Sequence, residues 1–152
     1  MIFRATSISF VFIFAISTIF AKDITHFKDC GSIKGSIKTV SVDPCNSEPC
    51  TIQRGQNSTI SISFVSKEDC TSGKAKVHAL KDGIPIPFPL PNPDLCQFLN
   101  PKCPIKTGSD YKYSYSLFIK KIYPSIRLTL RWELQDSLEK DLVCVEFPIS
   151  VI

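Results

Sequence analysis

Seven cysteines and two histidines are the residues of this 152-residue chain with the most chemistry to offer. Cys30, Cys45, Cys50, Cys70, Cys96, Cys103 and Cys144 all follow an apolar N-terminal stretch. In an oxidising compartment that set reads as a disulfide framework with one thiol left over. The short intervals Cys45–Cys50 and Cys96–Cys103 favour local loops, and Cys30 with Cys144 would then tie the two ends together. Spacing alone leaves the connectivity open. Closing the long loop would contribute about 4–5 kcal/mol if the effect is mainly on the unfolded chain's entropy. A metal centre would need paired short spacings with histidines close by, and the only histidines are His26 and His78. No metal or cofactor is therefore expected.

Cys70 lies in Glu68-Asp69-Cys70-Thr71-Ser72-Gly73, with only Lys67 and Lys74 placed to lower its pKa. It reads as an unpaired or mixed-disulfide turn cysteine rather than a nucleophile. His26 reads as a loop residue, and His78, on the polar side of an alternating segment, as a solvated one. No G-x-S-x-G occurs, and two histidines leave little scope for general base chemistry. The chain is not expected to be an enzyme. Nucleic acid is an improbable partner too: the 18 basic and 14 acidic residues are scattered, with no basic block. Asn57-Ser58-Thr59 is a glycosylation acceptor sequence, which suits a surface loop of a secreted protein.

The elements that must carry these residues begin after a leader. Residues 1–21 combine one basic residue, Arg4, an apolar run through Ile8 and Ile16, and a small residue, Ala21, before Lys22. That is the pattern of a secretory signal, too short and wrongly flanked for a stable membrane span. Residues 22–152 are one domain's worth of chain.

Proline occupies every second position from Pro85 to Pro93 in G-I-P-I-P-F-P-L-P-N-P. Each proline fixes its own φ, lacks an N–H and pushes the preceding residue towards extended geometry. The result is a stiff ribbon barred from the centre of a sheet, with Ile84, Ile86, Phe88 and Leu90 on one side. An apolar row on such an edge suits the rim of a cavity.

Elsewhere the chain alternates. Ile60, Ile62 and Phe64 form one apolar series, and Ala75, Val77 and Ala79 a second. Tyr111 to Ile119, Ile126 to Leu134 and Val143 to Val151 repeat the pattern, with a weaker Ile37, Val40, Val42 near the start. Period two with one polar face predicts antiparallel strands half-buried in an all-β sandwich or barrel. Turn signals separate the series at Asp43-Pro44, Arg54-Gly55, Ser72-Gly73, Asp82-Gly83 and Thr107-Gly108. A true immunoglobulin domain is disfavoured, because Trp132 lies just before the last cysteine instead of soon after the first.

Several motifs in order carry a resemblance. Asp29-Cys30-Gly31-Ser32, Asp43-Pro44-Cys45 with Pro49-Cys50, the Pro85–Pro91 ladder, Cys103-Pro104-Ile105, Tyr123-Pro124-Ser125-Ile126, Trp132-x-Leu134-x-Asp136 and Cys144-x-Glu146-x-Pro148 span nearly all of residues 22–152. Together they resemble the ML (lipid-recognition) domain family, and its sterol-transfer branch most closely. The resemblance implies an immunoglobulin-like β-sandwich of two antiparallel sheets that splay around an internal hydrophobic pocket. It also implies disulfides Cys30–Cys144, Cys45–Cys50 and Cys96–Cys103, leaving Cys70 without a partner. Family pocket positions fall on Phe88, Ile119, Tyr123 and Pro124, with Val42 and Trp132 at or near the walls.

The function implied is a monomeric secreted or lysosomal carrier that binds sterol reversibly and passes it to a membrane surface or membrane sterol transporter. The alternative is a secreted recognition protein, immune or chemosensory, for microbial lipid or fatty acids. One departure bears on that choice. Where the sterol-transfer branch carries an apolar knob, this chain has Lys81-Asp82.

Overall fold

The computed structural model describes residues 21–152. Apart from its last residue, the expected leader lies outside them. Eleven strands occur among the described residues: β1 (Lys22–Asp23), β2 (Lys28–Asp29), β3 (Gly35–Asp43), β4 (Cys50–Ile52), β5 (Asn57–Ser66), β6 (Gly73–Lys81), β7 (Ile84–Phe88), β8 (Leu99–Asn100), β9 (Asp110–Phe118), β10 (Ile126–Asp136) and β11 (Asp141–Val151). They form two sheets, ordered β1-β3-β5-β9-β8 and β2-β11-β10-β6-β7, with β4 added to β11. All pairings are antiparallel except β4 with β11. This is the all-β sandwich that the resemblance implies, and one of the two architectures, sandwich or barrel, that the alternation left open.

Burial follows the alternation. Ile62, Phe64 and Tyr113 of the first sheet and Leu134, Val143, Val145 and Phe147 of the second are at most 1% exposed. Each fully buried side chain of this size contributes about 1.5–3 kcal/mol relative to leaving it in water. The three-residue step from Ile37 to Val40 looks irregular in sequence because the β3–β5 register shifts between Ile37 and Thr39. A bulge there absorbs one residue and keeps Ile37 packed on the core alongside Val40 and Val42.

The proline ribbon behaves as its chemistry requires. Its first half is β7, an edge strand paired to β6 alone, where missing N–H groups break no internal ladder. The β6–β7 hairpin turns through Asp82 and Gly83, both at positive φ (53° and 79°). That is the primed turn geometry which matches strand twist and favours Asp-Gly. The apolar row is divided: Ile84 and Ile86 are exposed, whereas Phe88 and Leu90 pack against the core.

Two sequence expectations need correcting. Gly73 opens β6 instead of completing a turn. A Cβ there would lie 2.3 Å from the Gln135 carbonyl oxygen, so only glycine permits the close strand approach. His78 is not freely solvated: it is half-buried, with Nδ1 3.1 Å from Glu133 Oε2 on neighbouring β10. On a central strand, long side chains of the flanking strands cover even the outer face.

The disulfides are Cys30–Cys144, Cys45–Cys50 and Cys96–Cys103, and Cys70 is free and buried. Burial explains why Cys70 is not an accessible partner for a mixed disulfide. Its thiol donates to the Ser72 carbonyl at 2.8 Å, and its backbone exchanges two hydrogen bonds with Ile105. Glu48, in the loop closed by Cys45–Cys50, clamps the segment between β1 and β2. Its carboxylate accepts from the Thr25 backbone N–H and hydroxyl, both at 2.9 Å, and lies 2.5 Å from His26 Nδ1.

Unequal costs are expected for losing two of the cysteines. Cys30→Ser opens a loop of sequence separation 114 and should lower unfolding free energy by about 4–5 kcal/mol. Cys70→Ser keeps a donor for the Ser72 carbonyl and should change it by about 1 kcal/mol or less. Urea unfolding of both variants checks this, and a loss at Cys70 as large as at Cys30 would contradict it.

The Glu48 clamp should also survive mild acid. Hydrogen bonds from the Thr25 backbone, His26 and the Thr25 hydroxyl hold its carboxyl down at about 2, against an ordinary 4.5. A carboxyl lowered on folding stabilises above its unfolded pKa and loses that contribution as pH falls through its folded one. Protection of the Thr25 amide from hydrogen exchange should therefore persist down to about pH 5 and disappear between about pH 4.5 and 2. An amide already unprotected at about pH 5 would refute the clamp.

Candidate functional site

At one end of the sandwich the inward side chains of the two sheets meet. At the other they face a cavity of about 310 Å³. Val42, Ile60, Tyr115 and Leu117 line it from the first sheet, and Val77, Leu128, Leu130, Trp132, Phe147 and Ile149 from the second. Leu128 and Leu130 occupy inward positions of β10 yet remain only half-buried, because they face the hollow instead of an opposing side chain.

The floor is aromatic. Trp132 lies 5.9 Å from Tyr115 and 6.1 Å from Tyr113, and Phe98 packs 4.5 Å from Tyr115, measured between ring centroids. Such tilted pairs contribute roughly 0.5–1.5 kcal/mol each beyond area burial, which keeps the floor rigid. The Tyr115 hydroxyl accepts from the Asn92 backbone at 3.3 Å. The Tyr113 hydroxyl and the Trp132 indole N–H are buried without a hydrogen-bond partner among the described residues. Burial pushes the Tyr113 phenol well above its ordinary range, so it stays neutral.

The mouth is built by two connecting segments and an edge strand. The β9–β10 loop is pinned to the β4–β5 turn by Ile119 N–H to the Gln56 carbonyl (2.9 Å) and Gly55 N–H to the Ile119 carbonyl (2.6 Å). Arg54 adds a bond from its guanidinium to the Tyr123 carbonyl at 3.0 Å, and the Ser125 hydroxyl reaches the Val151 carbonyl at 3.1 Å. Across from them stands the proline-stiffened β7. Phe88 meets Tyr123 edge to face, with ring centroids 5.7 Å apart. Ile84, Ile86, Phe118 and Ile122 are more than half exposed around this end.

All six residues singled out from the sequence, Val42, Phe88, Ile119, Tyr123, Pro124 and Trp132, line this one cavity. Asn57 lies apart from it, exposed at the first position of β5 and paired in register with Phe118. Sequence reasoning did not name Ser58, Lys81, Leu128, Leu130, Phe147 or Ile149 as wall residues. The alternation places the apolar ones inward, but it does not say which of them meet a void.

The walls can do little chemistry. Among the described residues the cavity lining contains no carboxylate, histidine or thiol, and Lys81 at the mouth is its one cation. Nothing there can hold a metal. Glu133, Asp141 and Cys144 do come within 4.8 Å of one another on the outer face of the second sheet. However, the Cys144 sulfur is bonded to Cys30, Glu133 engages His78, and Asp141 accepts from Gln135. What the cavity can do is remove an apolar molecule from water.

Comparison with known proteins agrees with this geometry. The sequence profile of the ML domain matches residues 24–151. The NPC intracellular cholesterol transporter 2 of cattle (Bos taurus) is 39% identical over 148 residues, covering 97% of this chain and 98% of the bovine one. The crystal structure of a Niemann-Pick type C2 protein from the Japanese carpenter ant superposes with a TM-score of 0.77 at 29% identity, covering 84% of this chain and 99% of that one. Chicken MD-1, crystallised with lipid IVa, shares the fold at a TM-score of 0.55 and 18% identity, covering 80% of this chain and 85% of that one. This chain therefore belongs to the ML domain family.

Proposed function

We propose that the protein is a non-enzymatic lipid carrier that takes a sterol, tail first, into the cavity between its sheets and releases it reversibly. The observation that carries this reading is the cavity itself, with apolar walls and an aromatic floor. Each methylene buried there contributes about 0.8 kcal/mol, and an unpaired charge would be excluded. The name of the cattle relative, a cholesterol transporter, points the same way.

A volume of about 310 Å³ is near the bottom of the range for small-molecule sites, roughly 300–1,000 Å³. That favours one compact tail or ring system over a bundle of acyl chains, and so a carrier over a receptor for multi-chain microbial lipid.

Delivery follows from the mouth. Exposed Ile84, Ile86, Phe118 and Ile122 surround it together with Lys81, Lys120 and Lys121. Apolar side chains mixed with lysines suit a membrane surface, or a membrane sterol transporter embedded in one. The protein would act as a monomer, secreted or in the lysosome lumen, after loss of residues 1–21, with a glycan on Asn57.

Phe88→Ala should weaken binding of a fluorescent sterol by roughly 1–3 kcal/mol while leaving thermal stability close to wild type. The residue sits half-buried on the edge strand at the margin of the core, where its ring contacts the cavity and Tyr123. Unchanged sterol affinity would remove Phe88 from the site.

Ile119→Asp tests the interior placement. Its backbone is anchored at both N–H and carbonyl, so the variant should fold. An unpaired carboxylate against the tail should cost several kcal/mol at neutral pH. Burial raises a carboxyl's pKa, so protonation should restore part of the binding in acid. A folded variant that loads sterol normally at neutral pH would contradict an internal cavity.

A further inference from the structure

We propose that Phe118 is the platform for a glycan on Asn57, whose first sugar lies face-on over the phenyl ring and covers it. The proposal rests on the reading above that the chain is secreted and glycosylated there, and it goes further by naming what the sugar touches.

Period two sorts the side chains of β5 and β9. Ser58, Ile60 and Ile62 point inward, with Leu117, Tyr115 and Tyr113 as their register partners. The outward set is Asn57, Thr59, Ser61 and Ser63 on β5 and Phe118, Ser116, Ser114 and Lys112 on β9. That outer face is polar, and the Ser61 and Ser114 hydroxyls bond across the strands at 2.8 Å. Phe118 is the exception along this stretch, an aromatic side chain left 53% exposed. Its register partner is Asn57, the exposed asparagine of the Asn57-Ser58-Thr59 acceptor sequence. The apolar side chain that lacks a cover therefore stands opposite the residue that can carry one.

The pairing brings the two side chains close. Ile119 N–H donates to the Gln56 carbonyl at 2.9 Å, so the next pair inward, Asn57 with Phe118, is of the non-hydrogen-bonded kind. In such pairs the Cα atoms are about 4.5 Å apart and the side chains approach most closely. Glycosylation joins Asn57 Nδ2 to the anomeric carbon of a sugar: the amide loses a proton, and the sugar leaves a lipid-linked diphosphate. The first ring is then tethered within reach of the phenyl group. One face of a pyranose is a set of axial C–H groups, weakly positive, and the face of a phenyl ring is negative. Stacking the two also removes apolar area from water. Covering Phe118 in this way leaves Ile84, Ile86 and Ile122 as the exposed apolar residues of the rim that meet a membrane.

The test uses protein secreted from a glycosylating host as wild type, Asn57→Gln, Phe118→Ser and the double variant. The mass of wild type should show Asn57 occupied. Asn57→Gln should lower the thermal midpoint by about 2–4 °C when Phe118 is present, and by less than about 1 °C in the Phe118→Ser background. In wild type trimmed to its first sugar, proton NMR should find that sugar's C–H signals shifted upfield by the ring current. Phe118→Ser should return them to their usual positions. Equal losses in the two backgrounds, unshifted sugar signals or a bare Asn57 on the secreted chain would each overturn the proposal. So would a Phe118→Ser variant that loses binding to vesicles of phosphatidylcholine and phosphatidylserine with no coupling to Asn57, which would assign the ring to the membrane. Sterol binding by wild type is read separately: its absence removes the carrier reading and leaves the stacking result standing. A chain that is not secreted at all refutes the reading that puts a glycan here, and this proposal with it.

Discussion

The architecture depends on two sheets whose inner faces fill the space between them at one end and leave it unfilled at the other. Phe64, Tyr113, Leu134, Val143 and Val145 close the packed end. Emptiness at the other end carries a cost. At about 24 cal/mol per Å³, a hollow of about 310 Å³ corresponds to roughly 7 kcal/mol of forgone packing. A domain this small has stability of similar size to spend on all its imperfections. The rest of the structure can be understood as what keeps that hollow open and the domain folded.

Three devices share the task. Cys30–Cys144 restricts the unfolded chain over most of its length, offsetting much of the cavity's cost. The cluster of Phe98, Tyr113, Tyr115 and Trp132 braces the floor, so the walls cannot collapse inward by small rotamer changes. At the mouth, prolines hold one rim in an extended edge strand, and backbone hydrogen bonds from Ile119 to the Gln56 carbonyl and from Gly55 to the Ile119 carbonyl hold the other. Function follows from the same frame. A ligand tail supplies the missing contacts, so binding and stability draw on one source, and reversible release needs only the rim to move.

Much of this was legible in the sequence, and what was not has definite physical causes. Long alternating runs such as Ile126 to Leu134 identify strands because period two is imposed by the pleat itself. Pro85 and Pro87 marked β7 as an edge strand because a missing N–H cannot be hidden in a ladder. Short strands are different: β1, β2 and β4 have two or three residues, too few to show a period, and exist through pairing partners far along the chain. The bulge at Ile37 to Thr39 looked like a weak pattern, and Gly73 looked like a turn, because each depends on how closely a neighbouring backbone approaches.

The cavity itself is the clearest limit. The pattern put Leu128, Leu130, Phe147 and Ile149 inward with the same certainty as Leu134 and Val145. It could not say which of them oppose a side chain and which oppose a void, since that is set by the splay between sheets. Lys81 was overlooked for a related reason. A lysine beside Asp82-Gly83 reads as part of a polar turn until the strand is known to continue through it.

Trp132, the sole tryptophan of the chain, lies on the cavity wall and gives a direct measurement of the central claim. Titration with a naturally fluorescent sterol should quench Trp132 emission by energy transfer, saturating at one sterol per protein chain. Saturable one-to-one binding that leaves Trp132 emission untouched would place the ligand outside the cavity and contradict the account.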